Sequence, residues 1–192
     1  MRVSISALAA TLALAALLAG CAGDQRRTGP VDARVAHSVA AVHLDPATAT
    51  VMLNAYRASH GLGPVRLDPP LTAMAQRQAN AMVATDTLSH DAGGSFSSRL
   101  AAAAVDTARA GENLGGGYMS TEEAFTGWRN SSGHNVNLLM PQATRFGIAL
   151  AKDPGTGYRV FWAMVVAAEP ERRTAGPAGV LMSPSFGPVI MP

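Results

Sequence analysis

Cysteine is almost absent from this sequence, and several features that mark common classes of protein are missing too. The 192 residues contain one cysteine, Cys21, which excludes an internal disulfide, so the folded part must depend on its own hydrophobic core. Lysine and arginine total 15 against 13 acidic residues, and the small excess is spread along the chain without a basic run. This distribution argues against nucleic acid as a partner.

Familiar catalytic motifs are missing as well. The sequence has no His-Glu-x-x-His, no Gly-x-Ser-x-Gly and no Gly-x-x-x-x-Gly-Lys. The run Gly115-Gly116-Gly117 lacks the lysine of a phosphate-binding loop. Ser89-His90-Asp91 does not predict a catalytic triad, because triad members converge in space and adjacent side chains seldom do. A function must therefore be sought in other residues.

The longest apolar run lies at the N-terminus and is too short to span a bilayer. Arg2 precedes this run, which extends from Leu8 to Leu18, and the pattern predicts a signal peptide over residues 1–20. The following Leu18-Ala19-Gly20-Cys21 resembles the bacterial lipoprotein processing box. That resemblance implies cleavage before Cys21, acylation of this cysteine with palmitate-like chains, and anchoring to the membrane, since two or three chains hold stably. The alternative is an ordinary secretory signal whose cysteine is incidental.

Location and domain boundaries follow from the same pattern. Ala22 follows the cysteine, and by resemblance to the lipoprotein sorting rule this favours the outer membrane where the envelope has two membranes. We expect a lipidated tether over residues 21–44, which includes a short helix near residues 33–42, and one folded domain over residues 45–169. The proline- and glycine-rich residues 170–192 are expected to form a non-globular tail.

Local signals within the domain predict helices and strands in mixed order, an α+β fold. Asp45-Pro46 and Asp68-Pro69 each combine a capping aspartate with proline at the first helical position. Ser120 and Glu123 form a capping box for a further helix. The predicted elements are a helix from Pro46 to about Ser59, a helix from Pro69 to about Thr85, and a helix that begins after Ser120 and is broken by Ser131-Ser132-Gly133. We also predict a loop with one helical turn over residues 86–110 and an antiparallel pair of strands over residues 145–151 and 158–168.

Three short polar stretches carry the chemistry. They are Leu88-Ser89-His90, Gly111-Glu112-Asn113-Leu114, and the stretch from Trp128 to His134. Two imidazoles and one carboxylate could bind a divalent metal such as zinc, with an open position for water or ligand. In a metal-free alternative, Glu112 accepts hydrogen bonds from both His90 and His134 and orients them. Asn113 is expected to tie loop backbone, and the aromatic residues Phe125, Trp128, Phe161 and Trp162 to lie in the core.

The order of these motifs resembles the CAP superfamily, also called the SCP/PR-1 or allergen V5 domain, in its compact bacterial form. The resemblance extends to Asn54-Ala55-Tyr56-Arg57 near the start and to the apolar run from Phe161 to Ala167 near the end. It implies a three-layer α-β-α sandwich with a small antiparallel sheet and a cleft lined by two histidines and two acidic residues. His90, Glu112 and His134 match three of these positions. The second acidic position has no clear counterpart, and Asp91 and Ser95 are the candidates to replace it.

Three kinds of function remain open at this point. The favoured one is a membrane-anchored binding module of the cell envelope that recognises a lipid, glycan or protein through a His90/Glu112/His134 cleft, because the site has no recognisable nucleophile. The alternative is a metal- or imidazole-assisted, peptidase-like hydrolase in which Glu112 acts as base. In a third reading, the polar trio only holds loops together.

Overall fold

The structure is a computed structural model that describes residues 30–170. The expected signal peptide, Cys21 with its expected acylation, and nearly all of the expected tail therefore lie outside the described residues. Among the residues that are described, no helix is both long and apolar enough to cross a membrane.

Helices and strands alternate along the described chain. The elements are α1 Ala33–Ala41, α2 Pro46–Ser59, β1 Arg66–Leu67, α3 Pro69–Thr85, α4 Phe96–Ala102, β2 Ala110–Gly116, α5 Thr121–Asn130, α6 Ser132–Leu138, β3 Ala143–Lys152 and β4 Val160–Ala168. The predicted helices α2, α3 and α5 are confirmed, as is the loop with a short helix, α4, between α3 and β2.

The predicted caps explain where the helices begin. The Asp45 carboxylate accepts hydrogen bonds from two backbone amides of the first turn of α2, and the Asp68 carboxylate accepts one from Leu71 at the start of α3. The Ser120 hydroxyl accepts a hydrogen bond from the Glu123 amide at the start of α5. These side chains satisfy amide groups that have no partner inside the helix.

The sheet has four strands in the order β1-β3-β4-β2. The predicted antiparallel pairing of β3 with β4 is confirmed, and β2 pairs antiparallel with the other side of β4. The expected small antiparallel sheet is present with one addition at its edge, where the two-residue β1 pairs parallel with β3. Long intervening segments, including α3, separate β1 from β3, and such a crossover is what a parallel pair requires.

Helices cover both faces of the sheet, which gives the expected three layers. Residues of β4 alternate between two apolar clusters, as side chains on a strand must. Trp162 packs in the cluster that contains α1, α2, α5 and α6, whereas Phe161 packs in the cluster that contains α3 and α4. Phe125 and Trp128 also lie in the first cluster, so the expectation that the four aromatic residues are buried in the core is confirmed.

The segment expected to form the tether contributes to this core. Val39 at the end of α1 and Val42 just beyond it are buried in the cluster with α2 and α5. The Lys152 ammonium at the end of β3 donates hydrogen bonds to the carbonyls of Ala40 and Val42. The helix near residues 33–42 is therefore attached to the domain by both apolar and polar contacts.

Candidate functional site

The candidate site is built around Glu112, in the middle of the edge strand β2. The residues that follow it on the strand are held by the surrounding elements. Asn113 is fully buried, and the Leu114 carbonyl accepts a 2.8 Å hydrogen bond from the Trp128 indole. A side chain at Gly111 would collide with Asn137 of α6. The Glu112 side chain itself is only 3% exposed, so its carboxylate needs internal partners.

Arg99 on α4 provides most of those partners, and sequence reasoning missed it. Its side chain is 7% exposed, and its guanidinium donates two hydrogen bonds to Glu112, 2.6 Å from Nη1 to Oε2 and 2.9 Å from Nη2 to Oε1. This is the bidentate geometry that planar guanidinium and carboxylate groups favour. A usable signal was present, because Arg99 is the one charged residue between Ala92 and Val105. A single charge in such a stretch suggests a buried ion pair.

Arg99 also fixes the loop that carries His90. Its Nε donates to the Gly94 carbonyl at 2.9 Å, and Nη2 donates to the His90 carbonyl at 2.8 Å. From the opposite direction, the fully buried Gln78 of α3 donates to the Ser89 carbonyl and accepts from the Gly93 amide. The loop is therefore held at several points by buried side chains.

His90 presents its imidazole to solvent from this fixed loop. Its Nδ1 lies 2.8 Å from Glu112 Oε1, and its side chain is 57% exposed. Because a carboxylate oxygen accepts, the ring hydrogen at this contact belongs on Nδ1, which leaves Nε2 without a partner among residues 30–170. The arrangement combines a buried anchor with an exposed, oriented ring.

His134 lies close enough to His90 to interact electrostatically, but it has a different environment. It is half-buried on α6, and burial together with the nearby His90 lowers its pKa below the ordinary value of 6.5. Its backbone carbonyl accepts a 3.0 Å hydrogen bond from Asn113, whose own oxygen accepts from Asn137. The expected role of Asn113 in tying loop backbone is confirmed in part: it ties His134 to the strand.

The metal-free alternative, in which Glu112 accepts hydrogen bonds from both imidazoles, is met for His90 and not for His134. Successive side chains of a strand point to opposite faces. Glu112 and Leu114 share the face covered by α3 and α4, whereas Asn113 points toward α6 and His134. The second set of hydrogen bonds to Glu112 comes from the guanidinium of Arg99.

The residues present do not fit a protein-held metal ion. Within residues 30–170, no three side chains of His, Cys, Asp or Glu are arranged to hold one. Both Glu112 oxygens accept a hydrogen bond from the permanent cation Arg99, and Oε1 also accepts one from His90. Ser95 caps α4 and the Asp91 carboxylate is exposed, and neither of these two candidates makes a hydrogen bond to His90, Glu112 or His134 in the described part of the chain.

A cavity of about 550 Å³ lies beside this network. It is formed by α6, the segment after it and the start of β2, and Asn137 connects it to the site by donating to the Glu112 carbonyl. Apolar residues Leu139 and Met140 line it together with the polar side chains of Arg109 and Gln142. Its volume is in the range that small ligands use.

Fold and site together define an α-β-α sandwich in which a loop histidine, His90, is anchored to Glu112 on the edge strand β2. The model of the CAP, or cysteine-rich secretory protein, family matches residues 51–166, and this chain belongs to that family. The match covers the strand with Glu112 and both histidines.

Individual relatives are similar over the same region. The uncharacterised protein YkwD of Bacillus subtilis strain 168 is 30% identical over 99 residues, which cover 50% of this chain and 38% of YkwD. An extracellular protein with an SCP domain from Bacillus anthracis has a TM-score of 0.57 at 26% identity, over 64% of this chain and 40% of the other. This chain thus spans about two fifths of the length of these two relatives.

A smaller relative has nearly the size of the domain alone. An outer surface protein from Borrelia burgdorferi has a TM-score of 0.57 at 17% identity, with 67% of this chain and 98% of that protein covered. At this identity the similarity concerns the fold only.

Proposed function

We propose that this protein is an exported, lipid-anchored CAP domain that binds a lipid, glycan or protein of the cell envelope through the surface around His90 and His134. The observation that carries the proposal is the exposed His90 ring held on a buried ion pair. Burying Glu112 and Arg99 costs solvation free energy, and a core needs no such pair for stability. Its effect is to hold one exposed imidazole in one orientation.

Surrounding features support a binding role. The side chains that hold the His90 ring and the backbone at both histidines belong to four elements, α3, α4, β2 and α6, so the two residues lie on a rigid frame. Preorganisation of this kind lowers the entropy cost of binding. The 550 Å³ cavity on the α6 side, connected to the site through Asn137, offers apolar contact area at Leu139 and Met140.

Export and anchoring rest on the leader and on relatives. Residues 1–20 have the pattern of a signal peptide and Cys21 that of an acylated cysteine. The relative from Bacillus anthracis is described as extracellular, and the one from Borrelia burgdorferi as an outer surface protein. We expect the chain to incorporate labelled palmitate and to fractionate with membranes, and Cys21→Ser to abolish both. Incorporation that persists in Cys21→Ser would contradict the anchor.

A capture experiment tests the binding role. The chain from residue 21 onward, with Cys21→Ser to keep it in solution, is immobilised and exposed separately to envelope lipids, peptidoglycan fragments and envelope proteins in the presence of a chelator. We expect one fraction to be retained, and retention to be lost in His90→Ala and in His134→Ala. The control His37→Ala changes an exposed histidine on α1, away from the site, and should retain the ligand. Retention that is equal in all variants would contradict the proposal.

A further inference from the structure

We infer that Arg99 sets the ligand selectivity of this site by neutralising Glu112, so that His90 binds its ligand without a divalent metal ion. The inference rests on the proposed function and narrows its ligand class. It is derived from the contacts of one buried side chain.

A carboxylate next to a histidine ordinarily strengthens that histidine as a metal ligand. Many metal-binding histidines donate their second ring N–H to a carboxylate, which orients the ring and makes the other nitrogen a better donor to the metal. His90 has this arrangement, since Nδ1 contacts Glu112 Oε1 at 2.8 Å and Nε2 is directed away from the carboxylate by the geometry of the ring. Taken alone, the pair would favour a cation at Nε2.

Arg99 cancels this effect. Its two contacts of 2.6 and 2.9 Å place the positive guanidinium directly against the Glu112 carboxylate, and a guanidinium is a permanent cation in proteins. Oε1 accepts from both His90 and Arg99, so its two lone pairs are used. A dication at His90 would therefore gain little attraction from the carboxylate, because the charge of Glu112 is already balanced by Arg99.

The guanidinium cannot easily move aside. Besides Glu112, it donates to the carbonyls of Gly94 and His90, and its side chain is 7% exposed with the Phe96 ring 5.5 Å from its central carbon. A metal that displaced Arg99 would leave two carbonyls and a buried cation unpaired. Arg99 is thus a fixed part of the site, and it acts on the ligand through Glu112 and His90.

Zinc titration of the chain from residue 21 onward, carrying Cys21→Ser and no affinity tag, tests this inference. Zinc binding at His90 is taken as the part of the heat signal that disappears in His90→Ala. Co²⁺ binding is followed in parallel by visible absorption. We expect Arg99→Met, which keeps the apolar stem but removes the charge, to raise His90-dependent affinity by about tenfold or more, the size of effect typical of groups behind a metal ligand. Arg99→Lys keeps the charge and should show a much smaller gain.

The controls separate neutralisation from simple loosening of the loop. Arg99→Met/Glu112→Gln removes both charges, and its affinity should return to the level of the parent. If parent and Arg99→Met bind zinc at His90 equally well, or if the double variant keeps the gain, the inference is wrong. Where Arg99→Met does not fold, zinc binding by the parent protein provides the test. Saturable, His90-dependent zinc binding by the parent that is required for ligand capture would overturn the inference. Loss of the proposed function is a separate outcome, since it appears as capture that is independent of His90 and His134.

Discussion

Glu112→Gln provides the most informative perturbation of stability, because it removes a charge and leaves the shape. The variant leaves Arg99 buried with no anion to balance it. It also replaces the oxygen that faces one guanidinium N–H by an amide group that donates, so one of the two Arg99 contacts, at 2.6 and 2.9 Å, turns from attractive to repulsive. Breaking a buried pair from one side typically costs about 3–5 kcal/mol. We expect the free energy of unfolding to fall by about that amount.

Urea unfolding followed by tryptophan fluorescence measures this change. Trp128 and Trp162 are both fully buried, so their emission reports loss of the core. The matched control is Glu122→Gln, an exposed carboxylate in the first turn of α5, which should change stability by no more than about 0.5 kcal/mol. A cost below about 1 kcal/mol for Glu112→Gln would refute the reasoning, since it would mean that Arg99 is solvated or paired elsewhere.

The double variant Arg99→Met/Glu112→Leu completes the argument. Replacing a buried ion pair by apolar side chains of similar volume is often neutral or stabilising, because both desolvation costs disappear. We expect its free energy of unfolding to lie within about 1 kcal/mol of the parent or above it, while capture of the ligand is lost. A double variant as unstable as Glu112→Gln would show that the pair has a structural role that apolar contacts cannot replace.

Three further predictions concern other parts of the domain. Arg57→Met should lower the free energy of unfolding, measured in urea, by about 3 kcal/mol or more, because the buried guanidinium donates to four carbonyls that would lose their partner. A change near zero would contradict the view that these hydrogen bonds hold the segments together. Gly147→Ala should prevent folding or strongly lower the melting temperature, since its Cβ would collide with the backbone of Leu71 at the start of α3, and circular dichroism would show whether it does. Because the pKa of His134 is lowered in the folded chain, the unfolded chain takes up a proton below pH 6.5 more readily than the folded chain does. The free energy of unfolding should therefore fall as the pH decreases through this range, and the fall should be shallower in His134→Gln. Identical pH profiles for the two proteins would contradict this.

Much of the fold was predictable because local signals agreed with the final packing. Asp45, Asp68 and Ser120 cap helices through atoms close to them in sequence, so the sequence pattern alone is informative. The uninterrupted apolar run of β4 is typical of a strand buried on both faces, and this strand lies in the interior of the sheet.

β2 was not predictable from its composition. The strand reads Ala-Gly-Glu-Asn-Leu-Gly-Gly, without the β-branched or aromatic residues that favour strands. Its glycines are needed for close approach: a Cβ at Gly116 would lie 2.5 Å from the Tyr158 ring, and one at Gly115 would lie 2.8 Å from Tyr118. Tertiary contacts with distant residues, which sequence patterns do not show, decide the conformation here.

The site was predictable in part for a similar reason. His90, Glu112 and His134 lie in motifs whose residue types stand out in an alanine-rich chain, and the structure brings His90 to Glu112. Arg99 lies in a short helix that propensity barely supports, 13 residues from its partner, and no local rule links the two. Glu112 and Asn113 point to opposite helix layers because they are neighbours on a strand. The sequence did not predict a strand at β2, so this orientation could not be predicted either.

The most direct test of the account is the tautomer of His90, read from long-range ¹H–¹⁵N NMR spectra recorded with the imidazole neutral. We expect Nδ1 to carry the hydrogen and to donate it to Glu112, Nε2 to be the unprotonated nitrogen, and the Nδ1 signal to shift in Glu112→Gln. A hydrogen on Nε2, or a His90 spectrum that does not respond to Glu112→Gln, would contradict the central claim that a buried Arg99–Glu112 pair orients this ring.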